Sequence, residues 1–211
     1  MEAIRYDVVV VGGGPGGLAA AQGARLAGAA SVLVLERENR LGGILNQCVH
    51  DGFGLVRYRE ALTGPEYAQR AREEARSAGA DLMTGAMVTG LTRDRTLTAV
   101  TRRGLLTCQA GAVVLATGCR ERTRGAIAIP GTRPAGVYTA GTAQNLMNTK
   151  NLLVGRRVVV LGSGDIGLIM ARRMTLEGAK VLCVAEQRPA PGGLARNVRQ
   201  CLDDFGIPLL L

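Results

Sequence analysis

The sequence predicts an α/β protein assembled from two doubly wound β-α-β units, and three observations predict it. Gly12-Gly13-Gly14-Pro15-Gly16-Gly17 and Gly162-Ser163-Gly164-Asp165-Ile166-Gly167 are both GxGxxG, and each follows a valine-rich run, 6–11 and 157–161. Each loop is answered 19 positions beyond its third glycine by an acid, Glu36 and Glu186, that closes the next apolar run. Gly42-Gly43 is then answered by Gly192-Gly193, and every pair is offset by the same 150 residues. A lone glycine-rich loop says little in a chain with 30 glycines. A repeat that carries strand, loop, helix and acid together says much more.

The spacing has a chemical meaning. The first glycine permits the tight strand-to-helix turn, the second lets backbone approach a pyrophosphate, and the third lets helix and strand pack closely. Unpaired amides and the positive dipole end at the helix N-terminus form an anion site. A carboxylate about 20 residues on accepts from a ribose 2′-hydroxyl and repels a 2′-phosphate. Gly12, Gly14, Pro15, Gly16, Gly17 and Glu36 are therefore one candidate dinucleotide site, and Gly162, Gly164, Asp165, Ile166, Gly167 and Glu186 the other. Two such sites on one polypeptide suit a protein that passes electrons between cofactors.

Taken in order, Tyr6 to Val11 predicts the first strand, Pro15 to Leu26 a helix and Ser31 to Glu36 the second strand, before a polar, Gly-rich stretch from Asn39 to Gly54. Thr63 caps a second helix with Pro65 in its first turn; the pattern runs from Tyr67 to Ala78, and Gly79 stops it. Alternating runs at Met83 to Leu91, Thr96 to Arg102 and Leu105 to Gln109 predict a small antiparallel meander over about 83–110, followed by a separate buried strand, Ala112 to Ala116. Gly125 to Gly136, with Ile129-Pro130-Gly131 and Arg133-Pro134, is a turn-rich connector. The domain boundary is placed after it, giving domains 1–150 and 151–211. The second domain reads as strand 157–161, helix 165–177, strand 180–185, helix 194–205 and an apolar end, 207–211. A doubly wound sheet needs further β-α units to cover both faces, so this domain is expected to be incomplete and the protein truncated at its C-terminus.

Composition excludes several classes. Apolar runs reach about five residues, against the ~18 needed for a membrane span, so no membrane insertion is expected. The start, Met1-Glu2-Ala3-Ile4-Arg5, leads directly into the first strand without a signal-peptide pattern, which predicts a cytoplasmic protein. The net charge of +9 comes from 24 scattered Arg and only Lys150 and Lys180, and aromatics are 3% with no Trp, so no nucleic-acid partner is expected. Arg120, Arg122 and Arg124 form one close cluster, either a solvated loop or a functional group. The cysteines at 48, 108, 119, 183 and 201 and the single histidine, His50, have no zinc-ligand spacing, so no metal site and no disulfide framework are expected.

The order of first GxGxxG, Glu36, Gly42-Gly43, meander, Val113-Val114-Leu115-Ala116-Thr117-Gly118, Ile129-Pro130-Gly131 and second GxGxxG resembles the two-dinucleotide-binding-domain flavoproteins, the pyridine nucleotide-disulfide oxidoreductase superfamily. The resemblance covers essentially all 211 residues. Leu41-Gly42-Gly43-Ile44-Leu45-Asn46-Gln47-Cys48, Leu62 to Ala68 and Gly162 to Arg173 more narrowly resemble its FAD-dependent oxidoreductases associated with glycerol-3-phosphate dehydrogenase, relatives of opine and amino-acid dehydrogenase subunits. The resemblance implies a Rossmann-like FAD-binding domain with an inserted, incomplete Rossmann-like NAD(P)-binding domain. It implies that Gly12, Gly14, Gly16 and Gly17 cradle the FAD pyrophosphate, Glu36 holds its ribose and Arg37 lies beside the adenine. Gly43 belongs to the same site, a backbone group near Val88 meets the adenine, and Ala116-Thr117-Gly118 passes the flavin phosphates. Gly162, Gly164, Ile166, Gly167 and Glu186 hold NAD(P)H, and Glu186 predicts a preference for NADH.

The function so implied is hydride transfer between NAD(P)H and flavin, with onward transfer to or from a small molecule or acceptor that the sequence does not identify. The alternative is a non-catalytic cofactor-binding or electron-transfer subunit, completed by a partner oxidoreductase; a homodimer is the other association considered. Two departures bear on this. Disulfide-reducing members carry CxxxxC after the Gly-Gly, where this protein has only Cys48, and the C-terminal segment that closes the FAD domain is not present in the 211 residues. Cys48 and His50 lie on the segment expected near the flavin, so either they act on substrate, as thiolate and proton acceptor, or they are a packed residue and a loop histidine.

Overall fold

A computed structural model describes residues 3–211; Met1 and Glu2, read above as leading into the first strand, lie outside the described residues. The polypeptide divides into two compact units, one ending at Cys119 and the other running from Arg120 to Leu211.

In the first unit, β1 (Ile4–Val11), α1 (Pro15–Leu26) and β2 (Val32–Glu36) make one β-α-β, and α2 (Gly64–Ser77) leads to β3 (Asp81–Thr84). These strands are parallel, with Val9 opposite Leu33 and Leu33 opposite Asp81. Every residue of β2 is buried. That is why it reads as a continuous apolar run, since a strand covered on both faces has no side to leave polar. Val10, Val32 and Val34 pack against Leu18 and Ala21 of α1 and Ala71 and Ala75 of α2. Val9, Leu33 and Leu35 point the other way, onto Ala86, Leu97 and Ala99. The start of α2 is a capping box: Thr63 Oγ1 accepts the Glu66 N–H, and the Glu66 carboxylate accepts the Thr63 N–H at 2.7 Å. Gly79 ends the helix region at φ +86°.

The second covering layer is the meander β4 (Ala86–Leu91), β5 (Thr96–Thr101) and β6 (Gly104–Leu115), which completes a sheet of order β3-β2-β1-β6-β5-β4. Two sequence expectations are corrected here. Met83 and Thr84 belong to β3, because Gly85 at φ +64° breaks the run before β4. Leu105 to Gln109 and Ala112 to Ala116 are not two strands: β6 runs through both to Leu115 and pairs with β1 from Ile4 opposite Cys108 to Val11 opposite Leu115. Gly111 allows this, since a Cβ there would lie 2.7 Å from the Asp7 carbonyl oxygen.

The second unit contains α3 (Ala140–Lys150), β7 (Arg157–Leu161), α4 (Asp165–Leu176), β8 (Lys180–Ala185), α5 (Ala195–Cys201) and β9 (Leu209–Leu210), with a parallel sheet of order β7-β8-β9. Helix α3 has no counterpart in the sequence reading. Its Ala143 and Met147 join Leu168, Met170, Ala171 and Val184 in one core, so the compact units part at Cys119/Arg120 rather than at 150/151. The predicted helix 194–205 stops at Cys201 and continues as a 3-10 turn, Asp203–Phe205, ended by Gly206 at φ +60°. The strand register repeats the first unit: Val159 pairs with Cys183 and Leu161 with Ala185, each 150 residues beyond Val9–Leu33 and Val11–Leu35. The covering does not repeat, because Val159 and Leu161 are 56% and 68% exposed where Val9 is fully buried. No helix among the described residues is long and apolar enough to cross a membrane.

Candidate functional site

The two glycine loops are built alike to the level of individual hydrogen bonds. Gly12 sits at φ +108° and donates its N–H to Leu35 O at 2.8 Å; Gly162 sits at φ +96° and donates to Ala185 O at 2.7 Å. The third glycine of each lies under the first: a Cβ on Gly17 would be 1.9 Å from Gly12 O, and one on Gly167 would be 2.7 Å from Gly162 O. The middle glycines face open space. A Cβ on Gly14 would meet only Gly43 Cα, at 3.9 Å, and Gly16 and Gly164 have nothing within 4 Å. Pro15 opens α1 and Asp165 opens α4, and neither N-terminus is capped by a side chain, so first-turn amides face the hollow. Such a hollow fits a pyrophosphate: it offers bare backbone, positive dipole and no side chain to displace.

Each loop also holds its distant acid. The Gly13 N–H donates to Glu36 Oε2 at 2.7 Å, and the Ser163 N–H donates to Glu186 Oε2 at 3.0 Å. Sequence reasoning missed Gly13 and Ser163, because the second position of GxGxxG is nominally free. The signal was nevertheless present, since 13 and 163 are one repeat apart, as are 36 and 186. At Gly13 the position is in fact restricted, since a Cβ would fall 2.3 Å from Leu41 Cδ2.

The sites differ in how the acid is occupied. Glu36 has one donor on each oxygen, Gly13 N–H and Glu38 N–H. On Glu186, Oε2 takes the Ser163 hydroxyl at 2.6 Å besides its N–H, while Oε1 takes the Gln187 and Arg188 N–H groups and Arg188 Nε at 3.4 Å. These donors, the Ser163 hydroxyl foremost, hold the Glu186 carboxyl below its ordinary 4.5, at about 2. A depressed folded-state value stabilises the fold fully above about 4.5, and the contribution disappears as pH falls through about 2. Parent protein is accordingly expected to lose stability between those values that Glu186→Gln does not lose. Urea midpoints of both proteins across that window check this, and parallel curves would refute it.

The remaining candidates are placed as follows. Ala116 donates its N–H to Val11 O, which brings Ala116-Thr117 alongside the first loop; Gly118 continues exposed at φ +72°. Gly43 packs on Gly14, and Gly42 donates its N–H to Gly13 O at 2.7 Å. Arg37 is exposed and turned toward Glu38, Nε to Oε1 3.5 Å. Val88 lies on β4 opposite Ala99, beside a bulge, with its side chain against the meander core. Ile166 is exposed in the first turn of α4. Asp165 turns away from the hollow: Oδ1 accepts the Leu194 N–H at 2.8 Å and Asn197 Nδ2 at 2.7 Å, and these bonds hold its carboxyl below the usual range. Cys48 is half-buried at the end of the 3-10 turn Gly43–Gln47, with Sγ 3.3 Å from Ile44 O. Burial pushes its thiol up, the opposite of an activated thiolate. His50 stacks at 5.0 Å from Phe53, with Nδ1 3.1 Å from Asp51 O.

Two loops of one construction, each with its own acid, in one α/β polypeptide define a class that handles two dinucleotides. The profile of the pyridine nucleotide-disulphide oxidoreductase family matches residues 6–208, and the chain belongs to that family, whose members are FAD-dependent oxidoreductases that use NAD(P)H. It is 32% identical over 210 residues to an opine oxidase subunit of Agrobacterium tumefaciens (strain Ach5), covering 93% of this chain and 40% of the relative. It is 28% identical over 216 residues to the alpha subunit of sarcosine oxidase of Rhizobium meliloti (strain 1021), covering 93% of this chain and 21% of the relative. Among solved structures, thioredoxin reductase of Lactococcus lactis in its FR conformation superposes with a TM-score of 0.72 at 22% identity, over 97% of this chain and 64% of that one, which supports the fold. The chain thus spans less than half the length of these curated relatives.

Proposed function

We propose that the first loop binds FAD, the second binds NADH, and the protein is the nucleotide-handling part of an oxidoreductase in which hydride passes between the two. The observation that carries this reading is the duplicated bond from loop amide to distant carboxylate, with an open, uncapped hollow beside each. Flavin and nicotinamide supply the hydride chemistry when bound; the residues of this protein bind, orient and discriminate. A carboxylate has about four acceptor positions, and Glu36 uses two, leaving acceptors for ribose hydroxyls. FAD has an adenosine ribose and FMN does not, which favours FAD at this site.

The organic partner comes from a narrower argument. The relatives named above are called after opines and sarcosine, amino acids bearing a secondary amine, so a substrate of that class, handled with a partner subunit, is the reading their names favour. The narrower likeness to oxidoreductases associated with glycerol-3-phosphate dehydrogenase, carried by segments 41–48, 62–68 and 162–173, competes with it. The lone Cys48 argues against disulfide reduction, which needs a dithiol pair.

The test is anaerobic addition of NADH to the protein titrated with FAD, with the visible flavin absorbance as readout. Bleaching is expected about tenfold or more faster with NADH than with NADPH, a difference of about 1.4 kcal/mol. The ratio is expected to collapse in Glu186→Ala. Bound FAD that neither nucleotide reduces would leave the second reading, a cofactor-binding subunit completed by a partner. Equal rates in the parent would remove the NADH assignment.

A further inference from the structure

At position 163 the two loops differ in how they hold the inner oxygen of their acid. In the first loop that position is Gly13, which offers Glu36 only its amide, and the Gly42 N–H fastens to a backbone oxygen, Gly13 O. In the second loop the Ser163 hydroxyl stands between two partners: it donates to Glu186 Oε2 at 2.6 Å and accepts the Gly192 N–H at 2.8 Å. Ser163 is fully buried, whereas Arg188, the charged partner on the other carboxylate oxygen, is exposed and sits at the longer 3.4 Å. One oxygen of Glu186 is thus pinned from inside the loop by two short bonds. The other is held by longer contacts, one of them to the exposed Arg188 side chain.

From this asymmetry we infer that Ser163 is a specificity-determining positioning residue of the second site: its hydroxyl locks the Glu186 carboxylate so that Oε1 alone is presented outward, toward the nucleotide ribose. The inference rests on the reading of the second loop as a nicotinamide dinucleotide site. Arg188 Nε is the donor a ribose hydroxyl replaces, because it is the longest contact on Oε1 and, of the three, the one from an exposed side chain rather than from backbone. A 2′-phosphate cannot make that exchange, since it brings negative charge to an oxygen that is held ionised and cannot turn away. Without the hydroxyl, Glu186 keeps only the Ser163 amide on Oε2 and can rotate, so the discrimination is lost while the pyrophosphate hollow, made of backbone, is untouched.

The test compares ADP-ribose with its 2′-phosphorylated form, both carrying the same pyrophosphate, by calorimetric titration of the parent protein, Ser163→Ala and Ser163→Gly. The glycine variant guards against misfolding, because the first loop already folds with glycine at the equivalent position. The parent is expected to prefer ADP-ribose about tenfold or more, and both variants are expected to bring the ratio to within about threefold of unity. Equal weakening of both ligands with the ratio kept would reduce Ser163 to a structural role and overturn the inference. A parent that binds neither ligand, or shows no preference, would instead remove the nicotinamide reading beneath it.

Discussion

Gly14→Val is expected to leave the first unit folded and abolish FAD binding, whereas Gly17→Ala is expected to damage the fold itself. The two glycines lie three residues apart in one motif, but their surroundings are opposite. A Cβ on Gly14 meets only Gly43 Cα at 3.9 Å, and the backbone there, φ −74° and ψ −179°, is extended and open to any residue. Valine as a helix N-cap in place of glycine costs on the order of 1 kcal/mol. Its methyl groups project into the hollow where the pyrophosphate must lie, so the loss falls on the ligand. A Cβ on Gly17 lies 1.9 Å from Gly12 O and 3.0 Å from Gly12 C, both backbone atoms of a turn whose N–H is already bonded to Leu35 O. Nothing flexible is available to move. Overpacking of this kind costs about 1 to 3 kcal/mol or more even in cores that can adjust. Flavin fluorescence quenching gives the affinity and thermal melting the stability of each variant. Gly14→Val binding FAD as the parent does would sink the pyrophosphate assignment. Gly17→Ala melting with the parent would show that the loop can open.

What was legible in the sequence follows from which interactions are local. The helix α1, the strand β7 and the capped start of α2 were readable because a loop glycine, a valine run and a Thr-x-x-Glu box act over a few residues. The merging of two predicted strands into β6 was not readable, because Gly111 looks like a turn residue until β1 is known to pass beside it. Helix α3 was hidden for a related reason. Its sequence, Ala140 to Lys150, is only weakly amphipathic, and it is fixed by Ala143 and Met147 in a core made mostly by α4 and β8. In the sites, the glycines and acids were visible as a spaced pattern. Gly13, Ser163 and the inward turn of Asp165 were not, since each is defined by a partner 23 to 32 residues away.

The repeat also supplies a matched pair for stability: Val9→Asp is expected to unfold the first unit, and Val159→Asp to be nearly neutral. The two valines occupy the same place in the repeat, paired with Leu33 and Cys183 in the same parallel register. Val9 has no surface left to water and is packed with Leu33, Leu35, Ala86 and Leu97. An unpaired carboxylate there costs several kcal/mol after relaxation, comparable with the about 5 to 15 kcal/mol that holds a domain folded. Val159 is 56% exposed on a sheet face where Leu161 is 68% and Leu210 54% exposed, so a charge there keeps its water. A surface substitution of this kind is worth about ±0.5 kcal/mol. Hydrogen exchange resolved by peptide reads the two units separately, and sedimentation at two concentrations reads self-association through the apolar face. Parallel sheets are seldom bare on one side, so the decisive outcome concerns Val159. If Val159→Asp proves as damaging as Val9→Asp, the face is covered in solution, and accompanying loss of a larger species would name a second copy of this protein as the cover.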